Sequence, residues 1–554
     1  MSSSSFPWLK IENRAFLSKG YIPEGQTVEE RVMRIAQRCE EIYKIPGFTN
    51  KFLHYMQKGW ISLSSPVWSN FGTDYGDPIS CNNSHFGDSI EDITSKISEI
   101  ATMTKRGAGT SAFLGDLRPR GSKISIGGTS FGPIHFAEWI DKTVSIVSQS
   151  NIRRGNCAVY LPVEHPDIME FLEIREEGHP VQQLSIGVTI TRQWMKEMRA
   201  GDLKKLEIWW RLIRKNYESG YPYIFFYDNV NDNLPPWYKD KGIKVKSSNL
   251  CTEIIEPSTD DESFTCCLAS QNLAKYHEWK DTDLTFIMTI FLDMVTEEYI
   301  QKTANVKFME APNRFARRHR ALGLGVLGYH TLFQKNMIAF GSKDAYRLNE
   351  EIFSGMDAES RRASQWLAQE YGEPEVCKGY GYRNSMRLAV APTKSSSYIL
   401  GRGQISESVQ PVDSNYFVSN LAKTKTTIRN ELLEAHLETV GLNTPATWKQ
   451  VMMDGGSVRN LNIDPHVKEV FKTFVEIDSF DIILQAAQRQ KHIDQSQSLN
   501  LMIHPDTDPT YVSRLFNLME VTGVKTKYYM HGKNMTQEFA RGQVAEANCS
   551  ACEA

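Results

Sequence analysis

Asn249-Leu250-Cys251-Thr252-Glu253 precedes a second stretch, Cys266-Cys267-Leu268-Ala269-Ser270-Gln271-Asn272-Leu273. If the first is extended, Asn249, Cys251 and Glu253 project to one face, so an amide, a thiol and a carboxylate share a pocket. A polar loop around a buried cysteine would show the same short pattern, and spacing alone does not separate the two. In the second stretch neighbouring residues of a strand face opposite ways, so only one of Cys266 and Cys267 can enter that pocket.

Around these stretches the chain alternates short apolar runs with long helical patterns. Cys157 to Leu161, Ile186 to Ile190, Tyr223 to Tyr227, Leu388 to Ala391 and Leu499 to Ile503 read as buried strands, whereas Asp283 to Gln301, Asp344 to Glu370 and Thr427 to Val440 read as helices. The alternation predicts an α/β architecture with mainly parallel strands. Thr27 with Glu30 forms a capping box, and the apolar spacing from Val28 to Tyr43 predicts a helix, so residues 1–60 are expected to be helical. Residues 61–530 carry the α/β pattern. Residues 531–554 are polar, lack periodicity and are expected to form a flexible tail.

At 554 residues with a net charge of −3 the chain can bury large cores, and it lacks the basic block of a nucleic-acid or membrane-surface binder. The Leu284 to Ile300 segment is broken by Asp293, Glu297 and Glu298, so no membrane span is predicted. The opening MSSSSFPWLKIENR lacks the order of a secretory signal, which points to the cytoplasm. Nine cysteines, an odd number in a large chain of cytosolic type, favour reduced and reactive thiols over a disulfide scaffold.

The Asn-x-Cys-x-Glu segment resembles the finger loop of ribonucleotide reductases, and Cys266 to Leu273 resembles the strand that carries a redox cysteine in that family. Ser64-Ser65-Pro66-Val67, Cys81, Gly87-Asp88-Ser89, Ala391-Pro392-Thr393-Lys394-Ser395-Ser396-Ser397, Tyr528-Tyr529 and Cys549-Ser550-Ala551-Cys552 follow in the family's order. Ordered matches along most of the chain are far more specific than any one of them. The resemblance is to the large, catalytic subunit of the class I enzymes, in a short form without the N-terminal ATP cone. It implies a ten-stranded α/β barrel of two parallel five-stranded halves around a central finger loop, after a small helical region. It also implies reduction of ribonucleoside diphosphates to 2′-deoxyribonucleotides in a homodimer.

The resemblance assigns Cys251 the thiyl radical that abstracts the 3′-hydrogen, Glu253 the general base on the 3′-hydroxyl and Asn249 the orientation of substrate hydroxyls. Cys81 and Cys266 become the dithiol that turns to disulfide each cycle. Cys266 is preferred over Cys267 because its distance to Asn272-Leu273 fits the family pattern. Cys267, Cys39, Cys157 and Cys377 are left as buried apolar residues. Cys549 and Cys552 form a C-x-x-C pair without a second pair or a nearby His other than His531, which fits thiol exchange with thioredoxin or glutaredoxin better than zinc; no metal site is expected in the chain. Tyr528-Tyr529 would otherwise read as core aromatics; in class I enzymes such a pair passes the radical from the metallocofactor of a separate β subunit. Cobalamin-dependent class II enzymes lack that pair. A non-catalytic nucleotide-binding regulator on the same scaffold would have no need of the thiols and Glu253. Class III is excluded by the missing glycyl-radical loop and four-cysteine zinc site.

For the phosphates, the resemblance names Ser65, Thr393, Lys394, Ser395 and Ser396, with Ser64 and Arg153 also binding substrate. For the specificity site, which takes a dNTP or ATP with Mg2+, it names Asp88, Ser89 and Arg118. Read alone, these stretches are a Ser-rich turn and basic loops. With no cone ahead of Cys81, dATP is expected to act only as a specificity effector; a fall in total turnover at high dATP with saturating substrate would contradict this.

Overall fold

A computed structural model describes residues 6–147, 155–419, 426–504 and 506–532. Arg153, Cys549 and Cys552 lie outside these residues. Thirteen strands are labelled in chain order: β1 (Ile61–Leu63), β2 (Cys81–His85), β3 (Thr110–Phe113), β4 (Cys157–Pro162), β5 (Ser185–Ile190), β6 (Tyr223–Phe226), β7 (Phe264–Asn272), β8 (Leu322–Leu327), β9 (Tyr416–Ser419), β10 (Thr426–Arg429), β11 (Leu501–Ile503), β12 (Thr526–Lys527) and β13 (Met530–Gly532).

β2, β3, β4, β5 and β6 pair in parallel in that order, with helices in the crossovers, and form one five-stranded half. β4 and β5 are buried almost throughout, which is why they read as continuous apolar runs. The second half starts with β7 and β8 in parallel and continues through parallel bridges, Leu324 to Leu388 and Val390 to Gln497. Leu388 to Ala391 therefore holds its place by isolated bridges rather than as a full strand, and Leu499 to Ile503 narrows to β11. Gly325 lets that segment approach closely, since a Cβ there would lie 2.2 Å from the Ala389 oxygen.

The halves run in opposite directions. They meet where β2 pairs antiparallel with β7, and β12 pairs antiparallel with β6 at the other edge. β1 adds to β7, also antiparallel. One reading is corrected: Thr427 to Val440 is not one helix. Thr426–Arg429 is β10, paired with β9, and the helix Glu431–Thr439 begins after Asn430 caps Leu432 and Leu433. The β-branched Thr426, Thr427 and Ile428 favour the extended form.

The capping box at Thr27 opens the helix Val28–Tyr43 as its sequence predicts. That helix packs into the barrel's own core, where Tyr43 reaches a buried ionic cluster. Asp293 pairs there with Arg320 at 2.9 Å and Arg383 at 2.9 Å, accepts from Asn384 at 2.9 Å and accepts from the Tyr43 hydroxyl. The two guanidinium groups hold its carboxyl below the usual carboxylate range despite complete burial. No described helix is long and apolar enough to cross a membrane. Replacing Asp293 with Asn leaves two buried cations short of a counter-charge, and the expected cost is about 3–5 kcal/mol, read as a lower midpoint in denaturant unfolding.

Candidate active site

The Asn249–Glu253 segment enters the barrel's interior between the halves, but not as an extended strand. Thr252 has φ +70°, and its N–H donates to the Asn249 carbonyl at 3.2 Å, closing a turn. The shared face expected of an extended segment is thus produced by a turn instead. Asn249 Nδ2 donates to Glu253 Oε1 at 3.0 Å, and Ile254 N–H donates to Asn249 Oδ1 at 3.1 Å. Both halves fix the loop. Ser498 Oγ donates to the Cys251 carbonyl at 2.6 Å and to Glu253 Oε2 at 3.0 Å, while Thr526 Oγ1 donates to the Thr252 carbonyl at 3.0 Å. From β4, the Tyr160 hydroxyl reaches the Asn249 carbonyl at 3.3 Å and Ser248 Oγ at 2.6 Å. Its ring crosses Gly187 of β5, where a Cβ would lie 2.2 Å away.

Cys81 and Cys266 are direct partners in the β2–β7 register, the relation in which Cα separations suit a disulfide. Both are reduced. Cys267 faces the other way, donating to the Leu292 carbonyl at 3.3 Å within the helical layer. Cys39, Cys157 and Cys377 are buried. Burial pushes the Cys81 thiol well up, helped by the charges of Glu253 and Cys251, which places both groups near Cys81. Burial also raises Cys266, with Cys267, Glu256 and Cys81 adding to it. Burial pushes Glu253 up to about 7 against its hydrogen bonds from Asn249 and Ser498.

Tyr528 donates to Cys251 Sγ at 3.7 Å. Its ring centre is 4.3 Å from that of Tyr529, whose hydroxyl lies 3.0 Å from the Tyr221 hydroxyl. Tyr221, Tyr223, Ser498, Tyr160 and Gln495 complete this surround and went unmarked in the sequence. Of these, only Tyr160 and Tyr223 fell within a sequence reading, in the Cys157 to Leu161 and Tyr223 to Tyr227 strands.

Thr393, at φ +58°, caps the helix Lys394–Gly401, whose first turn presents backbone N–H groups as an anion cradle does. Tyr21 donates to Ser395 Oγ at 2.9 Å and Ser62 to the Ser396 carbonyl at 3.0 Å, so the N-terminal helices and β1 brace that turn. Ser64 caps the helix Ser65–Asn70, which follows β1 directly. Beside the turn opens a cavity of about 360 Å³ whose walls include Lys394, Ser395, Glu407 and Asp413 but none of the three thiols. Away from the thiols, Asp88 accepts from Arg118 Nε at 2.7 Å and from its backbone N–H at 3.0 Å, and Ser89 caps the helix Ile90–Lys105. Such a partly exposed pair adds about 1 kcal/mol or less, so the fold does not depend on it.

Thiols converging inside an α/β barrel, with packed tyrosines leading to one of them, define a thiol redox protein equipped for radical chemistry. A family model described as the ribonucleotide reductase barrel domain matches residues 79–206, 201–377 and 374–530. A protein of Frog virus 3 (isolate Goorha) named as a ribonucleoside-diphosphate reductase large subunit is 33% identical over 538 residues, covering 92% of this chain and 93% of its own. The α subunit of the class Id ribonucleotide reductase of Actinobacillus ureae superposes with a TM-score of 0.91 at 45% identity, over 96% of this chain and 99% of that one. A vitamin B12-dependent ribonucleoside-diphosphate reductase of Thermoplasma acidophilum is 28% identical over 97% of this chain and 72% of its own length. The chain belongs to the ribonucleotide reductase family, and along its length it aligns with class I α subunits.

A mild thiol oxidant is expected to join Cys81 to Cys266 and leave Cys267 open to alkylation after unfolding. Peptide mass mapping that found Cys81 bonded to Cys267 would contradict the register.

Proposed function

We propose that the chain is the catalytic subunit of a class I ribonucleoside-diphosphate reductase. The observation that carries this reading is the contact of Tyr528 with Cys251 beside the opposed Cys81 and Cys266. The oxidising equivalent arrives along Tyr529 and Tyr528 from the metallocofactor of a separate β subunit, which is the partner that a tyrosine line ending near the surface requires. The same line disfavours the cobalamin-dependent alternative, in which the radical is made next to the cysteine itself.

Cys251, as a thiyl radical, takes the 3′-hydrogen. Glu253 accepts the 3′-hydroxyl proton, and Asn249 orients the sugar hydroxyls from the same turn. With the radical at C3′, the 2′-hydroxyl leaves as water using a proton from Cys81. Cys81 and Cys266 then supply two electrons and close a disulfide, and Cys251 returns the hydrogen to C3′. The tail pair Cys549 and Cys552 reopens that disulfide and is itself reduced by thioredoxin or glutaredoxin.

Substrate phosphates are held at the first turn of Lys394–Gly401 by Thr393, Lys394, Ser395 and Ser396, with Ser64, Ser65 and Arg153 completing the set. Asp88, Ser89 and Arg118 take the effector nucleotide with Mg2+. Their exposed helix Ile90–Lys105 and the neighbouring Pro133–Ile146, which exposes Trp139 and Ile146, suit the face of a homodimer.

Reduction of CDP with the cognate metal subunit tests the reading. Cys251→Ser and Tyr528→Phe are each expected to bring turnover to background, and activity retained by Cys251→Ser would refute the radical role. Glu253 is neutral below about pH 7 and becomes a base above it. Accordingly kcat/KM is expected to rise with pH through about 7, and Glu253→Gln to lose about 10²–10⁴-fold without that rise.

A further inference from the structure

The steps above use Glu253 and leave a second carboxyl of the same interior without a role. Glu256 is 1% exposed. Its neighbour Ile255 donates from N–H to Gln495 Oε1 at 3.0 Å, and Gln495 Nε2 donates to Cys266 Sγ at 3.4 Å. The Glu256 charge also bears directly on the Cys266 thiol. Glu256 Oε2 accepts from the Tyr238 hydroxyl at 2.8 Å, whereas Oε1 is buried without a hydrogen-bond partner among the described residues. A buried polar atom left unpaired costs about 1–3 kcal/mol, so its presence calls for a reason.

From Tyr238 the chain of polar groups continues outward. Its hydroxyl lies 2.7 Å from His319 Nδ1, His319 Nε2 lies 3.4 Å from Glu262 Oε2, and Glu262 Oε1 accepts from Arg318 Nη1 at 2.6 Å. The Arg318 side chain is 35% exposed and pairs with Glu375 at the surface. The line thus runs from the barrel interior to solvent through the helices Pro236–Lys239 and Glu310–His319. Other ionisable groups near Glu256 are Asp494, Lys525 and Cys377, and Ser385 stands beside Tyr238. Lys525 is engaged with the Asp494 and Gln495 carbonyls at 2.6 and 3.0 Å. Burial dominates over Lys525 and holds the Glu256 carboxyl well above its ordinary range.

We propose that Glu256, Tyr238 and His319 form a proton relay that protonates the Cys266 thiolate whenever the Cys81–Cys266 disulfide is reduced, an inference that rests on the reductase reading. Cys81 is the partly exposed member of the pair and Cys266 is 1% exposed, so an incoming dithiol attacks at Cys81. Its thiolate forms an S–S bond with Cys81 Sγ, the Cys81–Cys266 bond breaks, and Cys266 leaves with the electron pair. That thiolate takes the proton of Glu256 through an intervening water, since no hydrogen bond joins Glu256 Oε1 to Cys266 Sγ. Glu256 regains one at Oε2 from Tyr238, Tyr238 from His319 Nδ1, and His319 from solvent near Glu262. The dithiol's second thiol gives up its proton and attacks its partner sulfur, the bond to Cys81 breaks, and Cys81 leaves with the electron pair and takes that proton, so one external dithiol is oxidised and two enzyme thiols are restored.

The test follows reduction of the oxidised chain by dithiothreitol in quenched flow, which needs neither nucleotide nor β subunit, so failure of CDP reduction and failure of the relay are read separately. Glu256→Gln keeps shape and a hydrogen bond to Tyr238 but has no acid; Glu256→Asp keeps the acid and shortens its reach. The relay predicts that Gln slows re-reduction on the order of tenfold or more and Asp markedly less. A purely structural Glu256 predicts the reverse order, with Asp the more damaging, and that result overturns the proposal. Should neither variant fold, Tyr238→Phe decides: slowing of similar size supports the relay, and a rate within twofold of wild type overturns it.

Discussion

The antiparallel pairing of β2 with β7 is the constraint on which the site depends. Two parallel half-sheets of opposite direction can close into one barrel only if some seam is antiparallel, and this seam sets Cys81 directly across from Cys266. Strand side chains alternate, so a slip of one residue would bring Cys267 inward and send Cys266 into the helical layer. The register is anchored along the rest of β7, by β1 and by β8, whose pairing begins at Cys267, and by packing against the helix Leu284–Thr303.

Burial does the second part. Inside the barrel a polar group without a partner is expensive, and the finger turn answers this by spending its polar atoms on one another and on Ser498, Thr526 and Tyr160. Thr252 Oγ1 is left buried without a partner among the described residues, but the bonds to Ser498, Thr526 and Tyr160 hold the turn and keep Cys251 within reach of Tyr528. The same burial raises Glu253 to about 7 and pushes the Cys81 and Cys266 thiols up.

Legibility in the sequence followed how local each signal was. The Thr27–Glu30 box, β4, β5 and the helices Leu284–Thr303 and Lys343–Tyr371 were readable because capping and periodicity act within a few residues. The β10 segment was misread because its apolar spacing continues into the following helix, while the break at Asn430 is a capping effect that periodicity does not register. The Asn249–Glu253 turn could not be told from an extended segment by spacing because a positive φ at Thr252 is imposed by tertiary bonds, not by residue preference. Ser498, Gln495 and Tyr160 carry no local mark at all: each acts on a residue far away in the chain, and only the closed barrel brings them together.

Two lines of polar groups reach the thiols from different sides, and their contents differ for a reason of charge. Toward Cys251 the line consists of phenols, Tyr221, Tyr529 and Tyr528, with hydroxyl or thiol as successive neighbours. Passing an electron and a proton together between such groups creates no ion, which a low-dielectric interior would penalise severely. Toward Cys266 the line contains a carboxyl, a phenol and an imidazole and ends at a surface ion pair. Opening a disulfide does create an ion, a buried thiolate, and only a line that can carry a net proton can neutralise it. On the proposed reading, the oxidising route and the protonating route end on different sulfur atoms, so a radical at Cys251 would not share its surroundings with a path open to water.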